Sequence, residues 1–393
     1  MKNKKHIEDM NLLFVTRYYP EPRIGGIERA TKLLTEYFHE HGHNVHCLYF
    51  ESSEYDGTLA KILQAHLLED KYDESWILQY LESNNIDIVI NQSHFFYAPF
   101  LSKVVHKAGI KLITCCHSST RMETIARKDA IKMSHGLKKW MIRVFYPLFK
   151  TYSERKLRKM HQNSFCCSDK TIVLSESIDS QYRKDVLEIF QDDNRLDYIY
   201  NPLSFQESIT NDELHRKENI VLVVSRLYES QKKLSLLFDA WAKIKTEGWK
   251  LVIVGDGEDR IQYEQMVNDL RITNVTFIGQ QSPMLYYARA KVFTMTSAWE
   301  GLPMTILESL QMGVVPIVMD SFPAAKELIE DGKNGFLVAY PDVAAFAIKL
   351  QQLMTNDNMR QSMALECLRS SKRFTMDVIG KRWMEIIGQM IEE

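Results

Sequence analysis

Short runs of apolar residues alternate along the chain with longer stretches that repeat their apolar positions every three or four residues. "NLLFVTRYYP" opens the series at Asn11, and "ERATKLLTEYFHEHG" follows with spacing that predicts a helix ending at Gly42. "NVHCLYF", "IDIVINQS", "KLITCCH" and "KTIVLSES" continue it as short apolar runs. The alternation restarts at Asn219 with "NIVLVVSRL", a helical stretch over 234–248, then "KLVIVGDG", "NVTFIGQ", "KVFTMTS" and "VVPIVMD". Strands that are apolar throughout need cover on both faces, which is the pattern of parallel sheets flanked by helices. Two such series predict an α/β chain of two Rossmann-like, doubly wound domains.

Length agrees, because 393 residues exceed what one hydrophobic core comfortably serves. The join is expected near 201–218, a polar stretch holding Asn201-Pro202, which gives domains of 1–203 and 204–375. At 45% hydrophobic and 25% charged, the composition excludes a disordered or collagen-like chain. A net charge of −2 gives no sign of a nucleic-acid partner. The apolar run after Met10 is too short for a secretory leader or a spanning helix, so the chain is expected to be cytoplasmic. Six cysteines, including the pairs Cys115-Cys116 and Cys166-Cys167 in apolar, strand-like runs, lack metal-site spacing and read as reduced, packed thiols.

In open parallel sheets ligands bind beyond the carboxyl ends of the strands. At those ends stand "TRYYPEPRIGGIERA", "HSSTR", "SRLYESQKK", "GDGEDR" and "SAWEGLPMTILES", rich in glycines, bases and acids. Arg226 and Lys232 lie six residues apart and could together neutralise a diphosphate; the plain alternative is two solvated cations. Gly25 and Gly26 precede a helix whose start would offer N–H groups to a phosphate, or are a loop tip. His117 could serve a sugar hydroxyl or a developing charge, or be an ordinary loop histidine. Pro303 suits a first helical position and Gly313 a stop. Glu300 then sits before that helix and Glu308 in its second turn, where the two acids could hold a hexose and a ribose. Their plain alternative is a helix-end acid and a solvent-facing one. Neither glycine loop meets the G-x-G-x-x-G dinucleotide fingerprint, which argues against a dehydrogenase.

"EGLPMTILE", "SRLYESQKK", "IGGIERA", "TCCH", "YNPLS", "LVIVGDGEDR" and "NVTFIGQ", in that set and at those strand ends, resemble the retaining glycosyltransferases of family 4, which have the GT-B fold. The resemblance covers most of the chain, with 119–165 and the last twenty residues matching in outline. It implies that Arg226 and Lys232 bind the donor diphosphate, Glu300 the transferred sugar and Glu308 the ribose. Gly301, Leu302, Pro303 and Met304 would present backbone to sugar and phosphate oxygens, with Gly255 and Gly279 also in the donor site. His117 would lie by the reacting carbon and the acceptor, and Gly26 would approach the distal phosphate. The resemblance further implies two domains facing a central cleft, a helix over 376–393 crossing back to the first, no metal and no cofactor. The substrates would be a nucleotide-sugar donor, a UDP-sugar rather than a GDP-sugar, and a glycan or lipid-linked acceptor in cell-surface polysaccharide synthesis, such as a capsule. Ser225 stands where the family usually has glycine, Lys233 where it has glycine or asparagine, and Ser118 where aspartate is frequent.

Residues 121–160 hold twelve bases against three acids, interleaved with Trp140, Phe145, Tyr146 and Phe149. That pattern suits the anionic inner face of a membrane, a packed helical pair, or an anionic polymer or protein acceptor. Competing readings of the whole chain are a non-catalytic GT-B subunit and a nucleotide-sugar epimerase.

Overall fold

The computed structural model describes residues 9–53, 64–68, 73–93, 95–117, 136–189, 194–207 and 209–392, the side chains of 96 and 136–150 excepted. These residues fall into two compact units. The first holds the described residues up to His117, then Glu154–Ser204 and the end of the chain from Phe374; the second holds Phe205–Arg373. The division assigns Gly136–Ser153, the first part of the long helix Gly136–Cys167, to the second unit, where the sequence reading had one unbroken stretch from 1 to 203.

Seven parallel strands form the sheet of the first unit. They are β1 (Asn11–Tyr18), β2 (Asn44–Glu51), β3 (Gln64–Leu67), β4 (Ile88–Asn91), β5 (Lys111–Cys116), β6 (Lys170–Val173) and β7 (Leu196–Tyr198), in the order β3-β2-β1-β4-β5-β6-β7. Alternate residues of β1 face opposite layers. Leu12 and Phe14 pack with Phe38 and Trp383, whereas Leu13 and Val15 pack with Ile77 and Leu101. Both faces are therefore buried, as continuous apolar runs require.

The second unit repeats the scheme with β8 (Glu218–Val224), β9 (Lys250–Val254), β10 (Val275–Gly279), β11 (Ala290–Met295), β12 (Val315–Asp320) and β13 (Phe336–Ala339). Its order is β10-β9-β8-β11-β12-β13, again all parallel. Strand order reverses between β1 and β4 in one sheet and between β8 and β11 in the other. Crossover helices leave in opposite directions there, and a crevice opens at the carboxyl ends.

Three features depart from the sequence reading. β3, β7 and β13 carry no run that the pattern picks out. The helix expected over 234–248 stops at Trp241, because the chain tightens there, Lys243 N–H reaching Ala240 O, and Lys245 N–H is taken by Gln351 Oε1, 106 residues away. Cys166 and Cys167 end a helix rather than a strand, and Cys166 is exposed; Cys47, Cys115, Cys116 and Cys367 are buried, and all six are free thiols. Among the described residues no helix is long and apolar enough to cross a membrane.

Candidate functional site

β8 and β11 flank the reversal of the second sheet, and the segments leaving them are laced together. After β8 the chain runs through Ser225, Arg226 and Leu227 into a short helix, Glu229–Lys232. After β11 it passes Thr296, Ser297 and Trp299 to Glu300. Gln231 O accepts from Ala298 N–H at 2.7 Å, and Lys232 O accepts from Thr296 Oγ1 at 3.0 Å. Two backbone carbonyls thus fix one segment against the other. The side chains complete the contact: Lys232 Nζ lies 2.7 Å from Glu300 Oε1, and Gln231 Nε2 donates to Glu300 Oε2 and to Trp299 O.

Lys232 and Glu300 retain 17% and 10% side-chain exposure, so Lys232 is not the solvated cation of the plain reading and Glu300 is enclosed beside it. Lys232 also lines a small cavity with Ser225, Thr294, Thr296 and Ser297, in whose wall Ser225 Oγ is buried without a hydrogen bond among the described residues. Arg226 behaves differently. It is exposed, its guanidinium stands 5.5 Å from the centre of the Tyr228 ring, and it makes no ion pair among the described residues.

Beneath this contact, Glu229 accepts from Ser235 Oγ at 2.6 Å and Tyr263 OH at 2.9 Å, while its own N–H donates to Asp259 Oδ2. Lys233 adopts φ +51°, which turns the chain abruptly from Lys232 into the helix Leu234–Trp241. The loop after β9 presses on the same segment. A Cβ on Gly255 would lie 1.9 Å from Ser225 O, and one on Gly257 2.3 Å from Leu227 O. Gly255, at φ +132°, also donates its N–H to Gly279 O. The structure therefore places Gly255 and Gly257 as close-packing positions against the Ser225–Leu227 backbone, with Gly279 bonded to Gly255 behind them.

Glu300 leads through Gly301 and Leu302 to Pro303, the N-cap of the helix Met304–Gln311, which lacks a side-chain cap. Leu302, Pro303 and Met304 are buried. Glu308 is fully buried at 0% exposure, which overturns the solvent-facing alternative for it.

In the first unit, His117 follows β5 and Gln92 follows β4, across the reversal from β1. Gln92 Oε1 accepts from His117 Nε2 at 2.6 Å, in a pocket lined also by Cys115, Tyr200, Asn201 and Trp383. Burial pushes the imidazole down to about 4, so the ring is neutral near pH 7. Gly25 caps the helix Gly26–Glu40 with extended backbone. At this helix start the Glu28 carboxylate folds back so that a Cβ on Gly25 would stand 2.7 Å from its Oε2. Glu28 is 7% exposed, and burial pushes its carboxyl up, so the helix start carries its own acid.

Each unit thus gathers its own candidates: Lys232 and Glu300 meet in the second, His117 and Gln92 in the first. Gln231, Glu229, Gln92 and Glu28 escaped sequence reasoning. Gln92 was signalled by standing directly after the apolar run of β4, and Gln231 only by its neighbour Lys232. Among the described residues no three His, Cys, Asp or Glu side chains converge as a metal site.

The family model "Glycosyltransferase Family 4" matches residues 24–206, and "Glycosyl transferases group 1" matches 205–366. The chain is 31% identical over 192 residues to the amylovoran biosynthesis glycosyltransferase AmsD of Erwinia amylovora, covering 48% of this chain and 54% of that protein. It is 32% identical over 200 residues to an α-1,4-N-acetyl-D-galactosaminyltransferase of Campylobacter jejuni whose name specifies a diphospho-undecaprenol-linked glycan, covering 50% and 55%. The chain spans about half the length of the curated relatives it matches. Among solved structures, Anabaena HepE in complex with UDP-glucose superposes with a TM-score of 0.75 at 16% identity, covering 97% of this chain and all of that one. The lipopolysaccharide outer core galactosyltransferase WaaB superposes at 0.70 and 20% identity, over 97% and 100%. These likenesses, with the two parallel-sheet units, show the GT-B fold.

Proposed function

The chain belongs to the group 1, family 4 glycosyltransferases, and from that premise we propose that it moves a hexose or N-acetylhexosamine from a nucleoside diphosphate sugar to a glycan or lipid-linked acceptor, with retention of configuration, in cell-surface polysaccharide synthesis. The observation that carries the reading is the 2.7 Å contact of Lys232 with Glu300 at the reversal of the second sheet, with Glu308 buried in the helix that follows.

A departing nucleoside diphosphate needs positive charge and N–H donors that are in place before the bond breaks. Lys232, the exposed Arg226 and the uncapped start of Met304–Gln311 supply them. Glu300 then faces the sugar and Glu308 the ribose hydroxyls. His117, neutral and held by Gln92, is the acceptor-side group. Because cationic side chains serve the phosphates, the proposed transfer proceeds without a metal ion. UDP is the favoured nucleotide, a choice supported by the UDP-glucose bound to the HepE structure.

A thermal-shift panel of UDP, GDP, ADP and CMP, with EDTA or magnesium, tests the donor site. One nucleoside diphosphate at about 100 times its Kd should stabilise the protein by about 2.7 kcal/mol in EDTA. Glu308→Ala should lose most of that. No stabilisation by any of the four would favour a non-catalytic subunit, which should also release no sugar from the donor. Proton NMR of the first-formed product would decide retention.

The membrane reading of 121–160 falls partly outside the described side chains. Over 151–167, Ser153, Leu157, His161, Ser164 and Phe165 are buried, while Arg155, Lys156, Arg158 and Lys159 are exposed. We take this basic face as support for docking on an anionic leaflet. Flotation with phosphatidylglycerol vesicles is expected to carry the protein up at low salt and to leave it behind at high salt.

A further inference from the structure

We propose that Glu300 is a resident counter-ion which a donor diphosphate must displace from Lys232, and that Gln231 is the positioning residue that holds Glu300 once Lys232 has left it. The inference rests on the donor reading above and adds a competition within the site.

Lys232 has one ammonium and two anionic claimants. In the ligand-free chain the claimant in place is Glu300, 2.7 Å away, and little water reaches either side chain. A diphosphate arriving beside Lys232 brings more negative charge than Glu300 carries and takes the ammonium over. Lysine suits this role because its charge is compact and swings on a flexible four-carbon stem.

Glu300 would then be left enclosed without its cation, which is the costly half of breaking an enclosed pair. Gln231 prevents that. Its Nε2 reaches Glu300 Oε2 at 3.3 Å, the oxygen that Lys232 does not hold, and Trp299 O at 3.2 Å. Its backbone carbonyl is fixed by Ala298 N–H at 2.7 Å, so the amide does not follow Lys232 when the lysine turns away. The carboxylate keeps a donor and its place, which is where the sugar of the donor would meet it.

Three signs follow for nucleotide binding. Glu300→Gln removes the competitor, so the nucleotide should bind about 3- to 10-fold more tightly even though transfer is lost. Gln231→Leu leaves the competitor and removes what steadies it, so the nucleotide should bind about 3- to 10-fold more weakly. In the Glu300→Gln background, Gln231→Leu should change nothing, because no carboxylate remains to be held.

Calorimetric titration of the four proteins of this double-mutant cycle with UDP and with GDP is the test. The proposal is upheld by tightening in Glu300→Gln together with a Gln231→Leu loss that vanishes in the double variant. It is overturned if the wild type binds UDP or GDP and Glu300→Gln binds equally or more weakly. The role of Gln231 is overturned if its loss persists in the double variant, since a purely structural latch would weaken both backgrounds alike. If neither nucleotide binds the wild type, the donor reading itself fails and the inference falls with it.

Discussion

His117 shows how a single side chain acquires a pH signature from its surroundings. Its ring is pushed down to about 4 by burial, against an ordinary value near 6.5. Below pH 6.5 the unfolded chain takes up a proton on this ring that the native chain refuses until about pH 4. The contribution of His117 to stability is therefore complete above pH 6.5 and is lost as pH falls through that window. The Tm difference between wild type and His117→Gln should shrink between pH 6.5 and 4 and stay constant above it. Lys233 offers a second residue-scale test. It occupies the left-handed region at φ +51°, where a residue with a Cβ is disfavoured. That explains why relatives of this family, by the resemblance drawn above, prefer glycine or asparagine after the lysine. Lys233→Gly should raise stability by about 0.5–1 kcal/mol in a denaturant titration, with nucleotide binding retained. At this scale Lys232 and Glu300 were each legible as charged residues beyond strand ends, but their pairing was not, since the pattern sets Lys232 beside Arg226 and Glu300 beside Glu308. The burial of Glu308 was not, because helical periodicity gives the turn of a residue and not the depth of what covers it. Gln231 and Glu28 were hidden for another reason: their importance lies in which neighbour they fold back upon.

Elements supply the stiffness that these side chains need. The turn after β8 rests on the loop after β9, where Ser225 N–H donates to Val254 O and Leu227 N–H to Asp256 O. Gly257 permits the approach, since a methyl there would collide with Leu227 O at 2.3 Å and Leu227 N at 2.8 Å. Gly257→Ala should cost about 1–3 kcal/mol of stability and shift the Arg226–Lys232 segment. A lowered Tm together with a reduced nucleotide-induced shift would be the observed result. A lowered Tm with the nucleotide shift intact would show that the two loops are independent. Strands such as β1, β5, β8 and β12 were readable because both of their faces are buried, leaving uninterrupted apolar runs. β3 and β7 escaped because an edge strand of three or four residues, half exposed, need not be apolar. β13 escaped for its brevity, and the stop of helix Leu234–Trp241 depends on Gln351, which no local pattern can contain.

At the scale of the molecule, the last helix, Met376–Glu392, belongs to the first unit. Ile379, Trp383, Ile386, Ile387 and Met390 enter the same core as Leu12, Phe14 and Phe38. Gly380 lets the helix lie against Tyr37, whose ring atoms would stand 2.3–2.6 Å from a Cβ. Arg382 holds Asp197, in β7, with two bonds of 2.8 and 2.9 Å. Five large apolar side chains at about 1.5–3 kcal/mol each approach the whole stability of an ordinary domain. A chain ending before Met376 should lack a protease-resistant first unit, while Gly380→Ala should cost only about 1–3 kcal/mol. This arrangement also orders events during synthesis. The second unit is complete on leaving the ribosome, but the first waits with an open groove along Gly26–Glu40 for its closing helix. At about 5–20 residues per second, the intervening 205–375 take roughly 10–30 s to translate. Through that interval the first unit stays unfinished while the second is still being made, and whatever binds exposed apolar surface in the cell has that long to reach it.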